Sequence, residues 1–159
     1  MQKLTDRAAI AQAAHDRFNG RPFAWGERDC AQLVKFVVMR AGHPNPLKGA
    51  KDYSGEVGAV RALHAALKAV GAPKGAGLDA VLDGLGYKRL ESPAFALPGD
   101  LLGMMADAPW NVAMGVAMGN GKALAFALDP ESGEHRAFVG DALITRAGIT
   151  PATCAWSLF

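Results

Sequence analysis

The sequence predicts an α+β fold in which N-terminal helices pack on a C-terminal antiparallel sheet. Apolar residues recur at helical spacing through the first half of the chain, whereas the second half contains short apolar runs separated by turn residues. Between two of these runs lies Asn120-Gly121, a dipeptide typical of a two-residue β-hairpin turn. A chain of 159 residues can bury its own core, so we expect a single domain over residues 1–159.

Helical spacing and end signals predict four helices. The clearest begins at Cys30, with Asp29 in the N-cap position, and is closed by Gly42. We expect the others over about 4–18, 55–70 and 78–82. The expected apolar face of the first helix consists of Leu4, Ala8, Ala11, Ala14 and Phe18, and that of the third of Val57, Val60, Leu63 and Leu67.

The second half of the chain is predicted to form the sheet. Its apolar runs are bounded by glycine, proline, asparagine and aspartate, the residues that favour turns. The aromatic C-terminus, Trp156-Ser157-Leu158-Phe159, is interpreted as the last strand, with a docking segment as the alternative. The predicted strands are 101–105, 112–118, 123–128, 136–139 and 154–159.

Composition and charge argue against several classes of function. The formal net charge is +2 and the basic residues form no stripe, so we expect no nucleic-acid partner. The N-terminus lacks the apolar run of a secretory signal, and no apolar stretch reaches the roughly 18 residues that span a bilayer. We therefore expect a chain made in the cytoplasm without a signal peptide and without a membrane span.

The two cysteines, Cys30 and Cys154, are too few for a disulfide framework or a zinc site, and we expect neither a metal nor a cofactor. Spacing leaves a disulfide between them open, although a reducing compartment disfavours it. Cys30 is a candidate nucleophile, because the N–H groups and the dipole at a helix N-terminus favour its thiolate. The alternative is a buried core cysteine, since Cys30 also lies on the apolar face of its helix.

Three segments resemble a known family of enzymes. Phe23–Gly26, of sequence Phe-Ala-Trp-Gly, followed by Asp29-Cys30, is similar to the nucleophile region of NlpC-type, papain-like cysteine peptidases. Pro98-Gly99-Asp100 resembles the opening of a strand in that family, and Met114–Gly121 resembles the hairpin that follows its catalytic histidine. The resemblance runs from the first helix to about residue 127 and is closest to short members found in phage and prophage tail modules.

The resemblance implies a cell-wall endopeptidase fold with Cys30 in the nucleophile position. It also implies that Trp25, Gly26 and Asp29 shape the site around that cysteine. Peptidoglycan is the substrate that the family implies.

Two positions depart from the pattern of the family. The catalytic histidine is replaced by Ala113, and the third polar residue would fall near Ala125. Neither alanine can accept or orient a proton. His135, expected in a solvated turn, is the histidine with the freedom to act as base instead. The other histidines are expected on helices or beyond the far end of the second helix: His15, His64 and His43.

Two interpretations of function remain. The favoured one is a catalytically degenerate NlpC-like domain that serves as a structural or binding component of a phage tail tip, with other tail-tip or hub proteins as partners and the virion as its location. The alternative is an active cysteine peptidase or amidase that cleaves peptidoglycan peptides through attack by Cys30. For the first, Trp110 is the docking candidate, because it follows Ala108-Pro109 in an expected exposed turn. We expect Trp110→Ala to weaken partner binding and to leave the melting temperature unchanged.

Overall fold

The computed structural model describes residues 4–143 and 151–159. Helices fill the first half of the chain and strands fill the second, which confirms the predicted α+β class. The helices are α1 (Leu4–Phe18), α2 (Cys30–Arg40), α3 (Glu56–Ala69) and α4 (Leu78–Gly84). The strands are β1 (Lys88–Arg89), β2 (Leu101–Met105), β3 (Val112–Gly119), β4 (Lys122–Leu128), β5 (His135–Asp141) and β6 (Ala152–Ser157). A short 3-10 helix over Pro93–Phe95 separates β1 from β2.

The described strands form one antiparallel sheet in the order β1-β6-β2-β3-β4-β5. The C-terminal segment is therefore a strand inside the sheet, as predicted, and not a docking segment. Its Trp156 is fully buried and donates its indole N–H to Asp83 at 2.8 Å. The hairpin between β3 and β4 turns at Asn120 and Gly121, whose φ values of 54° and 71° are those that a two-residue turn requires.

Helices α1 and α2 pack on each other and on β3. The predicted apolar face of α2 is confirmed, since its buried residues recur at helical spacing: Leu33, Val34, Val37 and Val38. This packing holds the N-terminus of α2 against the start of β3. In the described residues, no helix combines the length and the apolarity needed to cross a bilayer.

The faces predicted for α1 and α3 are partly wrong. On α1, Leu4 and Ala8 are exposed, and the buried face begins with Arg7 and Ile10. On α3, Val57 is 68% exposed. The buried face of α3 is made mostly of small residues that allow close approach to neighbouring elements: Ala59, Ala62, Leu63, Ala66 and Leu67.

A buried ion pair joins α1 to the opening of β2. Arg7 donates to the Asp100 carboxylate at 2.9 Å, and its guanidinium lies 4.0 Å from the centre of the Phe159 ring. The second carboxylate oxygen of Asp100 accepts the backbone N–H of Leu97 at 2.9 Å. The Pro-Gly-Asp opening of β2 thus has a structural role, because its aspartate neutralises the arginine that α1 carries into the core.

Candidate active site

The N-terminus of α2 is held by a network centred on Asp29. Its carboxylate caps the helix by accepting the Gln32 backbone N–H at 2.9 Å, as the sequence predicts. The other carboxylate oxygen accepts the Gly26 N–H and the Tyr53 hydroxyl, both at 2.8 Å. Asp29 is only 2% exposed, so these bonds replace the water that its charge has lost. The first residue after this cap is Cys30.

Two geometric requirements make glycine necessary at position 26. Its φ of 81° lies in the left-handed region, which glycine adopts without strain. A Cβ at this position would lie 1.8 Å from the carbonyl oxygen of Tyr53. Glycine at this position therefore lets the segment that carries Trp25 pass directly over the Tyr53 backbone. It also brings the Gly26 N–H within hydrogen-bond distance of Asp29.

Cys30 opens into a small cavity of about 110 Å³. Aromatic rings form much of its wall: Trp25 stacks on Trp110 with 5.9 Å between ring centres and 28° between planes. Phe23 meets Trp25 edge to face at 4.8 Å. The remaining lining includes Tyr53, Ala31, Ala59, Leu78, Ala106, Val112 and Ala113, together with Asp29 and Cys30. The cavity is thus an apolar, aromatic-walled pocket with a thiol in its lining.

Burial raises the pKa of the Cys30 thiol from 9.0 to about 11. The backbone N–H groups of Met114, Cys30 and Ala31 act in the opposite direction, whereas the neighbouring Asp29 charge raises the pKa further. Cys30 is half-buried by surface area, yet the packing around its sulfur makes loss of solvation the dominant cause. The N–H groups at the helix N-terminus thus lower the thiol pKa, as expected, but burial raises that pKa by more.

Ala113, which the sequence resemblance aligns with the catalytic histidine of NlpC-type peptidases, lies on β3 and lines the same cavity as Cys30. The observed pairing of β3 with β4 begins at Gly115 and Ala125, so Ala113 and Met114 lie beyond it, beside the start of α2. Ala125 is buried in the sheet opposite Gly115. Both positions present a methyl group, which has no proton to exchange.

None of the four histidines, all of which lie in the described part of the chain, lines the cavity. His135 pairs with Leu128 as the first residue of β5, so the prediction that it lies in a turn is wrong. It is exposed, and its carbonyl accepts the Phe23 N–H at 2.9 Å on a neighbouring surface. The ring of His43 contacts the Leu158 carbonyl and packs against Tyr87, beyond the C-terminus of α2.

Trp110 lies in a turn, as predicted, but its ring is less exposed than the docking prediction assumes. Trp110 is half-buried, packs against the main core and closes one side of the Cys30 cavity. Its carbonyl accepts the backbone N–H of Leu78 at 3.0 Å, which joins the β2–β3 connection to α4. No local pattern marks this burial, because the partner ring, Trp25, lies far away along the chain.

Tyr53 is a site residue that the sequence analysis missed. It lies in the irregular segment between α2 and α3, where no periodicity or motif marks it. Burial, together with the Asp29 charge and hydrogen bond, raises its pKa, so the phenol stays a neutral donor to Asp29.

Among the described residues, no cluster of three or more histidine, cysteine, aspartate or glutamate side chains could hold a metal ion. Cys30 and Cys154 are both free thiols.

Helices packed on an antiparallel sheet in this arrangement define an α+β domain with an NlpC-like fold. In agreement, the structure of NlpC2 from Trichomonas vaginalis superposes with a TM-score of 0.53 at 15% sequence identity. The match covers 96% of this chain and 47% of that one, so the chain spans about half the length of the structure it matches. No curated protein matches the sequence. The chain belongs to the family described as Domain of unknown function (DUF6950), which it matches over residues 2–157.

Proposed function

We propose that the chain is a catalytically inactive NlpC-like domain that works as a binding or structural module. The observation that carries the proposal is the pairing of Cys30 with Ala113 across one apolar cavity. The nucleophile position of the resemblance is kept, and the base position is a methyl group.

The chemistry of the cavity supports inactivity. Amide hydrolysis by cysteine needs a thiolate to attack the carbonyl and an acid to protonate the leaving amine. With a pKa of about 11, only about one thiol in ten thousand is ionised at pH 7. Asp29 already accepts three hydrogen bonds, and Tyr53 uses its hydroxyl proton in one of them. Neither side chain is therefore placed to serve the thiol.

The same cavity supports a binding role. Its volume of about 110 Å³ is too small for a peptide segment but suits one aliphatic side chain, since cavities of about 150 Å³ lined by apolar groups bind benzene. Aromatic walls favour such an anchor at the centre of an interface. We infer that an apolar side chain of a partner protein fills the cavity beside Cys30.

The partner proposed for this module is another protein of a phage tail tip. The support is the resemblance of the Trp25–Cys30 region and of the β3–β4 hairpin to short NlpC-type members of phage tail modules. The alternative remains an active peptidase or amidase that cleaves peptidoglycan peptides, with Cys30 as the nucleophile. Hydrolysis distinguishes the two.

The first experiment incubates purified peptidoglycan with the wild-type chain and with Cys30→Ser. We expect no release of soluble peptide-containing fragments by either protein. Release by wild type that disappears in Cys30→Ser would establish the peptidase and refute the inactive module.

The second experiment measures co-purification with tail-tip proteins after filling the cavity. Ala113→Leu places a larger side chain in the cavity, and we expect it to abolish co-purification. Ala94→Leu is the matched control, because Ala94 is exposed on the 3-10 helix. Equal co-purification of both variants with wild type would contradict the cavity as a docking site.

A further inference from the structure

A second concave surface lies between the C-terminal part of α1 and α2. It is an open groove of about 910 Å³, and the segment 26–28 forms one of its walls. This segment connects Trp25 to Asp29, which line the Cys30 cavity. Four arginines from three separate parts of the chain line it: Arg17, Arg21, Arg28 and Arg40. These arginines form no stripe along the sequence, and the fold brings them together on one surface.

Aromatic rings beneath the groove pack against two of its four guanidinium groups, those of Arg17 and Arg40. Arg17 lies 5.3 Å from the centre of the Phe36 ring and 5.6 Å from that of Phe18. Arg40 lies over the same Phe36 ring at 5.2 Å. Stacking of this kind orients a guanidinium while leaving its N–H donors free.

Most of this positive charge is not neutralised within the protein. No carboxylate in residues 4–143 and 151–159 lies within ion-pair distance of Arg17, Arg21 or Arg40. Of the two acidic residues on the wall, Glu27 lies 3.5 Å from Arg28, and Asp16 accepts a hydrogen bond from Gln12. Lys35 lines the surface that continues the groove beside Arg40.

We propose that this groove binds an acidic segment of a partner polypeptide. Its length along α2 and its separate guanidinium groups fit several carboxylates spaced along an extended chain, each able to accept paired N–H donors. The carboxylates of Asp16 and Glu27 on the wall fit a segment of mixed sequence better than a uniformly dense polyanion.

Single-stranded nucleic acid fits the groove less well. Base stacking needs a free aromatic face. Phe18 is 2% exposed, and Phe36 lies beneath Arg17 and Arg40. The groove therefore offers charge without a stacking platform. The proposal does not depend on the Cys30 cavity and holds whether or not the domain is catalytic.

Fluorescence anisotropy of the full chain with a labelled peptide of repeated Glu-Gly-Ser units tests the proposal. We expect saturable binding at about 50 mM salt that weakens strongly at about 300 mM. Arg21→Glu combined with Arg40→Glu should weaken binding by at least about tenfold, because each loses charge-assisted hydrogen bonds. Arg61→Glu combined with Lys68→Glu makes the same change in net charge at exposed positions of α3 and should alter binding by less than about twofold.

A thermal melt establishes that each variant is folded, and Arg21→Gln with Arg40→Gln replaces the reversal variant if that one does not fold. Absence of wild-type binding would overturn the proposal. So would an equal loss in the α3 control, which would indicate net charge alone. Tighter binding of a labelled oligothymidine than of the peptide would assign the groove to nucleic acid instead.

Discussion

Replacing Trp110 by alanine tests the site architecture through stability. Burying a tryptophan fully is worth about 3–5 kcal/mol against alanine, and a half-buried ring that keeps one stacked partner should be worth about 2–3 kcal/mol. For a chain of 159 residues, each kcal/mol shifts the melting temperature by about 2–4 °C. We therefore expect Trp110→Ala to lower the melting temperature by about 5–10 °C, measured by circular dichroism or calorimetry.

The contact between the two rings can be isolated with a double-mutant cycle. Trp25→Ala, Trp110→Ala and the double variant should show a coupling free energy of about 0.5–1.5 kcal/mol, as stacked aromatic pairs do. Trp110→Phe keeps an aromatic ring in the wall and should lose less than half as much stability as alanine. A melting temperature unchanged by Trp110→Ala would refute the packing of Trp110 against Trp25 and the core, and would return Trp110 to the exposed surface.

Three further predictions concern the parts that hold the site. Gly26→Ala should cost at least about 2–3 kcal/mol of unfolding free energy, because it combines a left-handed φ with displacement of the Tyr53 carbonyl. Asp100→Ala should cost about 3–5 kcal/mol, because it leaves the buried Arg7 charge without its partner. Stability should fall as pH rises from about 9 to 11, since the native state holds the Cys30 proton above the pKa of the unfolded thiol. This contribution amounts to about 2–3 kcal/mol and should be absent from Cys30→Ala.

The chain offers a matched control for each of these predictions. Gly20 has a φ of 75° and open space where a Cβ would lie, so Gly20→Ala tests left-handed strain without a clash. Equal losses at Gly20 and Gly26 would show that the close approach is not decisive. Lys122 pairs with Asp141 at the surface, and Lys122→Ala should cost less than about 1 kcal/mol. The loss of unfolding free energy in Asp100→Ala must clearly exceed that value. For the thiol, the stabilities of wild type and Cys30→Ala must diverge only above about pH 9.

The sequence predicted the elements that depend on local signals. α2 was readable because its cap and its apolar spacing lie within a few residues of each other, and the hairpin was readable because a two-residue turn needs Asn120-Gly121. The face of α3 was misassigned because bulky valines suggested burial, whereas close packing selected the alanines. β1 has only two residues and carries no periodic signal.

The sequence indicated which positions belong to the candidate site, but it did not indicate how their side chains are packed and buried. Cys30 and Ala113 were found by resemblance, and the structure places both in one cavity. The stacking of Trp25 on Trp110 and the bond from Tyr53 to Asp29 join residues far apart in sequence, so only the folded chain brings them together. The same limit applies to the pKa of the thiol, since burial is a property of tertiary packing.

The rate of alkylation of Cys30 by iodoacetamide as a function of pH measures the central claim most directly. In a Cys154→Ser background the reaction reports a single thiol, because the chain has two cysteines. We predict a slow reaction at neutral pH and a titration midpoint of about 11, the pKa of a buried thiol without a base. A midpoint below about 7.5, in the range of thiols activated by a neighbouring cation or base, would contradict the account and restore Cys30 as a nucleophile.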